Sequence, residues 1–350
     1  MHEEKKQIDE SSSDRQYQER ILQGVSRSFA LTIPQLPEGL RSVVTNAYLL
    51  CRIADTIEDE KSLSIQQKRV FFQELVDVVR GKASSRHFAA TLFPLLSDGT
   101  SPAEKELIQN THRVIRVIHG SRPGQRAAIE RCVTIMSQGM QRFQEEKDVS
   151  GLRALRDLDE YCYHVAGVVG ELLTELFCDY SEEMAGNRRR LMSLAVSFGQ
   201  GLQMTNILKD VWDDRKNGAC WLPRDVFQKA GFDLTHLSAD KYVDSFGDGL
   251  GVLIGIACVH LKNALTYSLI VPPHQTGIRK FCLWAVGMAI FTLRNLDRRR
   301  YYRSGIDVKI SRRTVKAIIF VTNATIRSNY LLKKLFALTT KSLPADGVSL

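Results

Sequence analysis

Apolar residues recur in steps of three and four at both ends of this chain, and that spacing admits little but helices. Val44, Ala47, Leu50, Ala54 and Ile57 form one such face; Val315, Ile319, Thr322, Ile326 and Tyr330 form another. Two-residue alternation is scarce, and Asn217-Gly218 follows a charged helix end instead of joining two strands. The nine prolines bunch at a few places, such as Pro34/Pro37 and Pro272/Pro273, that read as loops. The expected fold is all-α.

A chain of 350 residues, 44% hydrophobic and 25% charged, has the composition of a globular protein and length enough for a large core. No long linker, low-complexity tract or repeat interrupts it. One domain is expected over 16–340, flanked by a disordered polar tail at 1–15 and a C-terminal tail at 341–350. Residues 191–208 carry no charge, near spanning length, yet include Ser193, Ser197, Gln200, Gln203, Thr205 and Asn206. A lipid-facing helix tolerates that load poorly, so a buried helix with one polar face is expected. The N-terminus lacks the pattern of a signal peptide. Seven scattered cysteines, with no Cys-x-x-Cys and no zinc spacing, point to a reducing, cytoplasmic compartment. The net charge of +9 calls for an anionic partner: nucleic acid, a membrane surface or a phosphorylated small molecule.

The chemistry concentrates in two acidic segments. In Arg52-Ile53-Ala54-Asp55-Thr56-Ile57-Glu58-Asp59, the aspartates at 55 and 59 share a helix face, with Arg52 one turn earlier. In the run from Gln203 to Asp214, Gln203, Asp210 and Asp214 nearly superimpose at 100° per residue. Asn206 lies beside them, and Leu208 and Trp212 point the other way. Like charges four apart destabilise a helix by roughly 0.2–0.5 kcal/mol, and more beside apolar surface. A single such pair is ordinarily a solvated acidic face. Two pairs in otherwise apolar helices ask for a compensating cation, and hard carboxylate donors suit Mg²⁺ shared with substrate phosphate. Arg27, Arg52, Lys209 and Arg215 flank the pairs and could meet phosphate.

These residues resemble a known family. Ser26-Arg27-Ser28-Phe29 followed by Tyr48 to Asp59 is similar to the first signature of squalene and phytoene synthases. Tyr161-Cys162-Tyr163-His164-Val165-Ala166-Gly167 is similar to the family's Tyr-Cys-x-x-Val-Ala-Gly segment. Gln203 to Asp214, with Asn217-Gly218-Ala219-Cys220-Trp221-Leu222-Pro223 after it, resembles the second aspartate signature and its trailing loop. The three occur in the family's order, and the likeness runs over about residues 20–300.

The resemblance implies a class I isoprenoid synthase: a single-domain helical bundle with a central cavity. It implies Mg²⁺-dependent head-to-head (1′–1) condensation of two prenyl diphosphates, farnesyl diphosphate in the squalene branch, through a cyclopropylcarbinyl diphosphate. By position, Asp55, Asp59, Asn206, Asp210 and Asp214 would hold Mg²⁺. Ser26, Arg27, Ser28, Tyr48, Arg52, Gln203 and Lys209 would hold diphosphate, with Lys209 standing where many members have Arg. Tyr161 matches a tyrosine that handles a proton and steadies a cation. By straight-helix counting Val165 and Val168 share its face. Gly167 and Gly170 either make room for a prenyl chain or let helices pack closely, and His164 is either a base or structural.

Phe281-Cys282…Met288-Ala289-Ile290-x-Thr292-Leu293 is similar to a segment of squalene synthases, with Ala285-Val286 where eukaryotic members have Pro-Gln. That favours the squalene branch, which consumes NADPH, over dehydrosqualene or phytoene synthases, which do not reduce their product. A different class, a basic helical binding protein, rests on Arg188-Arg189-Arg190 and Arg298-Arg299-Arg300-Tyr301-Tyr302-Arg303. The expectation is no nucleic-acid partner, and a peripheral membrane contact in which Arg298, Arg299 and Arg300 touch anionic headgroups.

Overall fold

A computed structural model describes residues 2–238 and 243–344, with side chains from residue 12 onward. Among the described residues there is no strand, only an isolated bridge between Leu152 and Pro223. The all-α expectation holds. The chain forms two compact units, residues 1–145 with 172–186, and residues 146–171 with 187–350.

The first unit is built on helices α1 (His2–Val25), α2 (Glu38–Asp59), α3 (Ile65–Val79), α4 (Pro102–Gln109), α5 (Thr111–His119) and α6 (Pro123–Glu145). α2 is its axis and packs against each of the other five. The reason lies in its sequence: Leu40, Val43, Val44, Ala47, Leu50, Ala54 and Ile57 are all buried, so apolar surface covers more than one stripe. Glu60 stops the helix. Burial would raise its carboxyl, but hydrogen bonds from Ser62, Thr100 and Ser97 outweigh that and bring it down to about 2.

The segment 1–15, expected as a disordered tail, instead enters α1. At its inner end Asp14 is 1% exposed and accepts from Arg113 Nε and Arg116 Nε, each at 2.7 Å. A polar sequence hid a buried counter-ion. Of the expected C-terminal tail, 341–344 are described and the rest lies outside the described residues.

The second unit contains α7 (Leu155–Cys162), α8 (Arg188–Lys216), α9 (Asp244–Ile270), α10 (Thr276–Arg298), α11 (Arg312–Thr325) and α12 (Asn329–Thr340). α8 carries the uncharged 191–208 run and packs on α7, α9 and α10. Leu191, Ala195, Met204, Ile207 and Leu208 are buried, while Asn206 is exposed, giving the buried helix with one polar face that was expected. α9 and α10 are long and apolar enough to cross a membrane; more than half of each apolar window is buried inside the protein.

One feature had no sequence signal. Between Cys162 and Val168 the helix widens into a π turn, Tyr163–Gly167. It meets α8 backbone to backbone. A Cβ at Gly199 would lie 2.1 Å from the Ala166 carbonyl, and one at Gly170 would lie 2.0 Å from that of Ala195. Close packing is therefore what Gly170 serves. His164 Nδ1 lies 2.8 Å from the Glu160 carbonyl within the same helix, a structural role.

Candidate active site

Each aspartate pair sits on the axial helix of its own unit. On α2 the pair is crowded. Ile53, Ala54, Thr56 and Ile57 are buried around it, Asp55 keeps 36% of its side-chain surface open, and Asp59 is exposed. Burial pushes the Asp55 carboxyl up to about 7, Arg52 opposes the shift, and the like charge of Asp59 adds to it. Glu58 goes further, to about 8: burial dominates, Asp59 and Asp55 reinforce it, and Gln144 and Lys68 oppose it. Gln144 Nε2 donates to Glu58 Oε1 at 3.2 Å, and Lys68 Nζ donates to the Glu58 carbonyl.

Arg52 is already committed to two carboxylates. Its Nη2 is paired with Glu104, and its Nη1 lies 3.5 Å from Asp55 Oδ2. Glu104 is itself fixed, because it closes a capping box with Ser101 at the start of α4. Burial works against Glu104's charge, but Arg52 and Ser101 hold its carboxyl below the usual range.

Ser26 and Tyr48 lie together: Tyr48 Oη donates to the Val25 carbonyl at 3.2 Å and its ring packs on Phe29 at 5.2 Å. Ser26 Oγ accepts the Phe29 amide at 3.0 Å. Arg27 and Ser28 are exposed, and Ser28 makes no side-chain cap of the short helix that follows.

On α8 the pair is about as open, with Asp210 keeping 37% of its side-chain surface. Asp210 and Asp214 are partly exposed and Asn206 is exposed; Gln203 is partly buried. Lys209 Nζ lies 3.1 Å from Asp210 Oδ2 and 3.4 Å from Asn206 Oδ1. Burial raises the Asp210 carboxyl, Lys209 offsets part of that, and Asp213 adds to it. The inward face is anchored as the sequence implied. Trp212 Nε1 donates to the Tyr302 carbonyl at 2.7 Å, and Tyr302 Oη donates to the Leu208 carbonyl.

Tyr161, at the end of α7, is 5% exposed and stacks on Trp221 with centroids 4.0 Å apart and planes within 6°. Trp221 stood in the quoted loop with no role attached. Glu104 was visible only as a cap signal, Ser101-x-x-Glu104, and its pairing with Arg52 spans too long a stretch of chain for periodicity to register.

The oxygen donors fit Mg²⁺. Two carboxylates an i,i+4 step apart, with Asp55 raised by burial and by its neighbour, gain from a bound cation. Among the described residues no group of three or more His, Cys, Asp or Glu closes on a metal by itself. An Mg²⁺ ion held by these aspartates would need water or phosphate oxygens as further ligands, its usual habit. The α10 segment that resembles reductive members is mostly core: Phe281, Cys282, Val286, Ala289, Ile290 and Leu293 are buried. Its likeness falls on residues that pack in the core.

Comparison with known proteins agrees with this geometry. The family model for squalene/phytoene synthase matches residues 22–314. A squalene synthase of Saccharomyces cerevisiae is 29% identical over 309 residues, which are 85% of this chain and 65% of that protein. A squalene synthase of Solanum lycopersicum is 33% identical over 282 residues, 78% of this chain and 62% of that one. The chain thus spans under two thirds of either relative's length. Among solved structures, the complex of TcSQS with the ligand BPH1237 matches with a TM-score of 0.72 at 24% identity, covering 93% of this chain and 91% of that one. With the motifs in order on helices, the carboxylate pairs in place and the match running over most of its length, the chain belongs to the squalene/phytoene synthase family.

Proposed function

We propose that this chain is a squalene synthase, which joins two farnesyl diphosphates head to head and completes the product with hydride from NADPH as co-substrate. The observation that carries the reading is the repeated device on α2 and α8: an i,i+4 aspartate pair beside a cation that contacts it, Arg52 in one case and Lys209 in the other. Diphosphate becomes a good leaving group only when its developing charge is met.

Asp55 and Asp59, and Asp210 and Asp214 with Asn206, would hold Mg²⁺. When bound, it neutralises the departing diphosphate and polarises the bond that breaks. The chain's own groups do the rest. Arg52, aligned by Glu104, presents a fixed fork to phosphate oxygens. Lys209 supplies a mobile point charge, while Ser26, Arg27, Ser28, Tyr48 and Gln203 add donors. Ionisation leaves an allylic cation that must be kept from water. Tyr161, its ring stacked on Trp221, would steady it through the π face of its ring.

The test is direct. Purified protein is incubated with farnesyl diphosphate and Mg²⁺, with and without NADPH, and the hydrocarbon is identified by mass spectrometry. Squalene that depends on NADPH is the expected result. Dehydrosqualene whether or not NADPH is present removes the reductive step, and no hydrocarbon overturns the reading.

A further inference from the structure

Apolar side chains left in water are concentrated in one part of this protein. Among the described residues, the large hydrophobics more than 60% exposed are Tyr301 63%, Ile306 81%, Phe320 74%, Tyr330 64%, Leu338 70% and, far away in sequence, Val70 61%. All but Val70 fall within 301–338. The same stretch is charged in one sense only. Residues 308–344 contain eight Lys or Arg and no Asp or Glu.

Two helices carry most of this, and each has two working faces. Inward, α11 buries Ile318 against α10, so closely that a Cβ at Gly287 would meet its Cγ2 at 2.7 Å. α12 buries Leu332, which joins Leu265, Leu283 and Ile326 in one cluster with Phe336 packed on it. Outward, α11 presents Lys316 and Phe320, four apart. α12 presents Tyr330, Lys334 and Leu338 in steps of four, with Lys334 Nζ 4.6 Å over the Tyr330 ring. The inner faces account for the fold, and nothing in the fold needs the outer ones to be apolar.

We propose that the outer face of α11 and α12 is a docking surface for an anionic lipid bilayer. Lysines and arginines at the headgroup level, with Phe320 and Leu338 reaching the acyl boundary, are the two halves of interfacial binding. A nucleic acid satisfies only the first half, since a phosphate backbone leaves Phe320 and Leu338 in water. Of the run that the sequence pointed to, Arg298 and Arg299 are exposed. Arg300 turns inward, with Nη1 3.0 Å from the Gly247 carbonyl and its Nη2 paired with Asp297. Tyr302 is buried at 3% exposure, and Arg299 Nη1 donates to the Asp307 carbonyl at 2.9 Å. Of the three arginines, Arg300 is thus structural.

The experiment uses the intact chain and vesicles of phosphatidylcholine alone or mixed with phosphatidylglycerol, read by co-sedimentation without turnover. Its result therefore stands whichever hydrocarbon the protein makes. Binding is expected to the mixed vesicles only, and to weaken with salt. Replacing Lys316, Lys333 and Lys334 by Ser, all exposed, should weaken it by about a hundredfold. Phe320→Ser with Leu338→Ser should weaken it at least about tenfold at unchanged charge. Circular dichroism confirms that both variants fold. No vesicle binding by the wild type overturns the proposal. So does binding that survives both sets of substitutions. DNA binding unaffected by loss of Phe320 and Leu338, with vesicles ignored, gives the surface to nucleic acid instead. Self-association through it without vesicle binding gives it to a second copy.

Discussion

On α2, Arg52 reaches two carboxylates at once, and one of them, Glu104, is pinned by a helix cap. On α8, Lys209 reaches Asp210 and Asn206 from a flexible stem, and nothing comparable pins it. The spacing of the aspartates is the same, but their support differs. A planar guanidinium shared between an aspartate and a fixed glutamate is set before any ligand arrives. A lysine near a partly exposed aspartate adjusts when one does. The α2 pair holds a buried charge that a metal would relieve, as Asp55 at about 7 indicates, with burial the main cause and the like charge of Asp59 a lesser one. Two copies of one device thus divide the work between a preformed grip and an adaptable one.

The largest effects test whether both copies are needed. Asp55→Asn and Asp210→Asn should each lower diphosphate release by at least about a thousandfold at unchanged fold, the scale of losing a metal-assisted ionisation. Near-normal turnover in either variant removes that helix from the site.

Next is the buried charge on α2. Glu58 keeps a proton in the folded state up to about pH 8, whereas its ordinary value is 4.5. Between those values the folded protein holds a proton that the unfolded chain has released, so stability falls as pH rises. In metal-free protein the melting temperature should drop across that window. Glu58→Gln should flatten the drop and raise stability at pH 8 by roughly 1–3 kcal/mol. A wild-type melting curve indifferent to pH, or a variant with the same slope, refutes the buried-charge account.

The smallest effects compare the two cations. Glu104→Gln removes the anchor of Arg52 in a half-buried place and should cost about 1–2 kcal/mol in urea unfolding. Lys209→Met should stay within about 0.5 kcal/mol, because Lys209 meets one partly exposed aspartate from a flexible stem. Equal costs would erase the distinction between a fixed and a mobile grip.

Much of this was legible from spacing alone. The helical class, the shared faces of both pairs and the inward turn of Leu208 and Trp212 follow from a 100° step. Long-range partners do not. Nothing near Arg52 in sequence points to Glu104, whose Ser101 signal speaks only of a cap. The π turn defeats counting: across Tyr163–Gly167 the helix takes five residues per hydrogen-bonded step, so Val165 and Val168 are rotated away from the register that straight counting gives them relative to Tyr161. Its cause is the backbone approach to Gly199, which belongs to another helix. Asp14 in the tail and Arg300 in the basic run misled for one reason: charge in a sequence reads as solvent exposure until a partner is found. Asp14 and Arg300 both have partners inside.

Asp14 bears on where the first unit begins. Tyr17 lies beneath the guanidinium groups of Arg20 and Arg113, at 5.3 and 4.5 Å from its ring centroid. Asp14 binds Arg113 from another side and Arg116 as well. Like the stone that closes an arch, it sits at the edge yet keeps neighbouring members from springing apart. A chain trimmed to start at residue 16, where composition draws the boundary, would leave two arginines facing each other across a vacated carboxylate, and α5 would lose its ion pairs to α1.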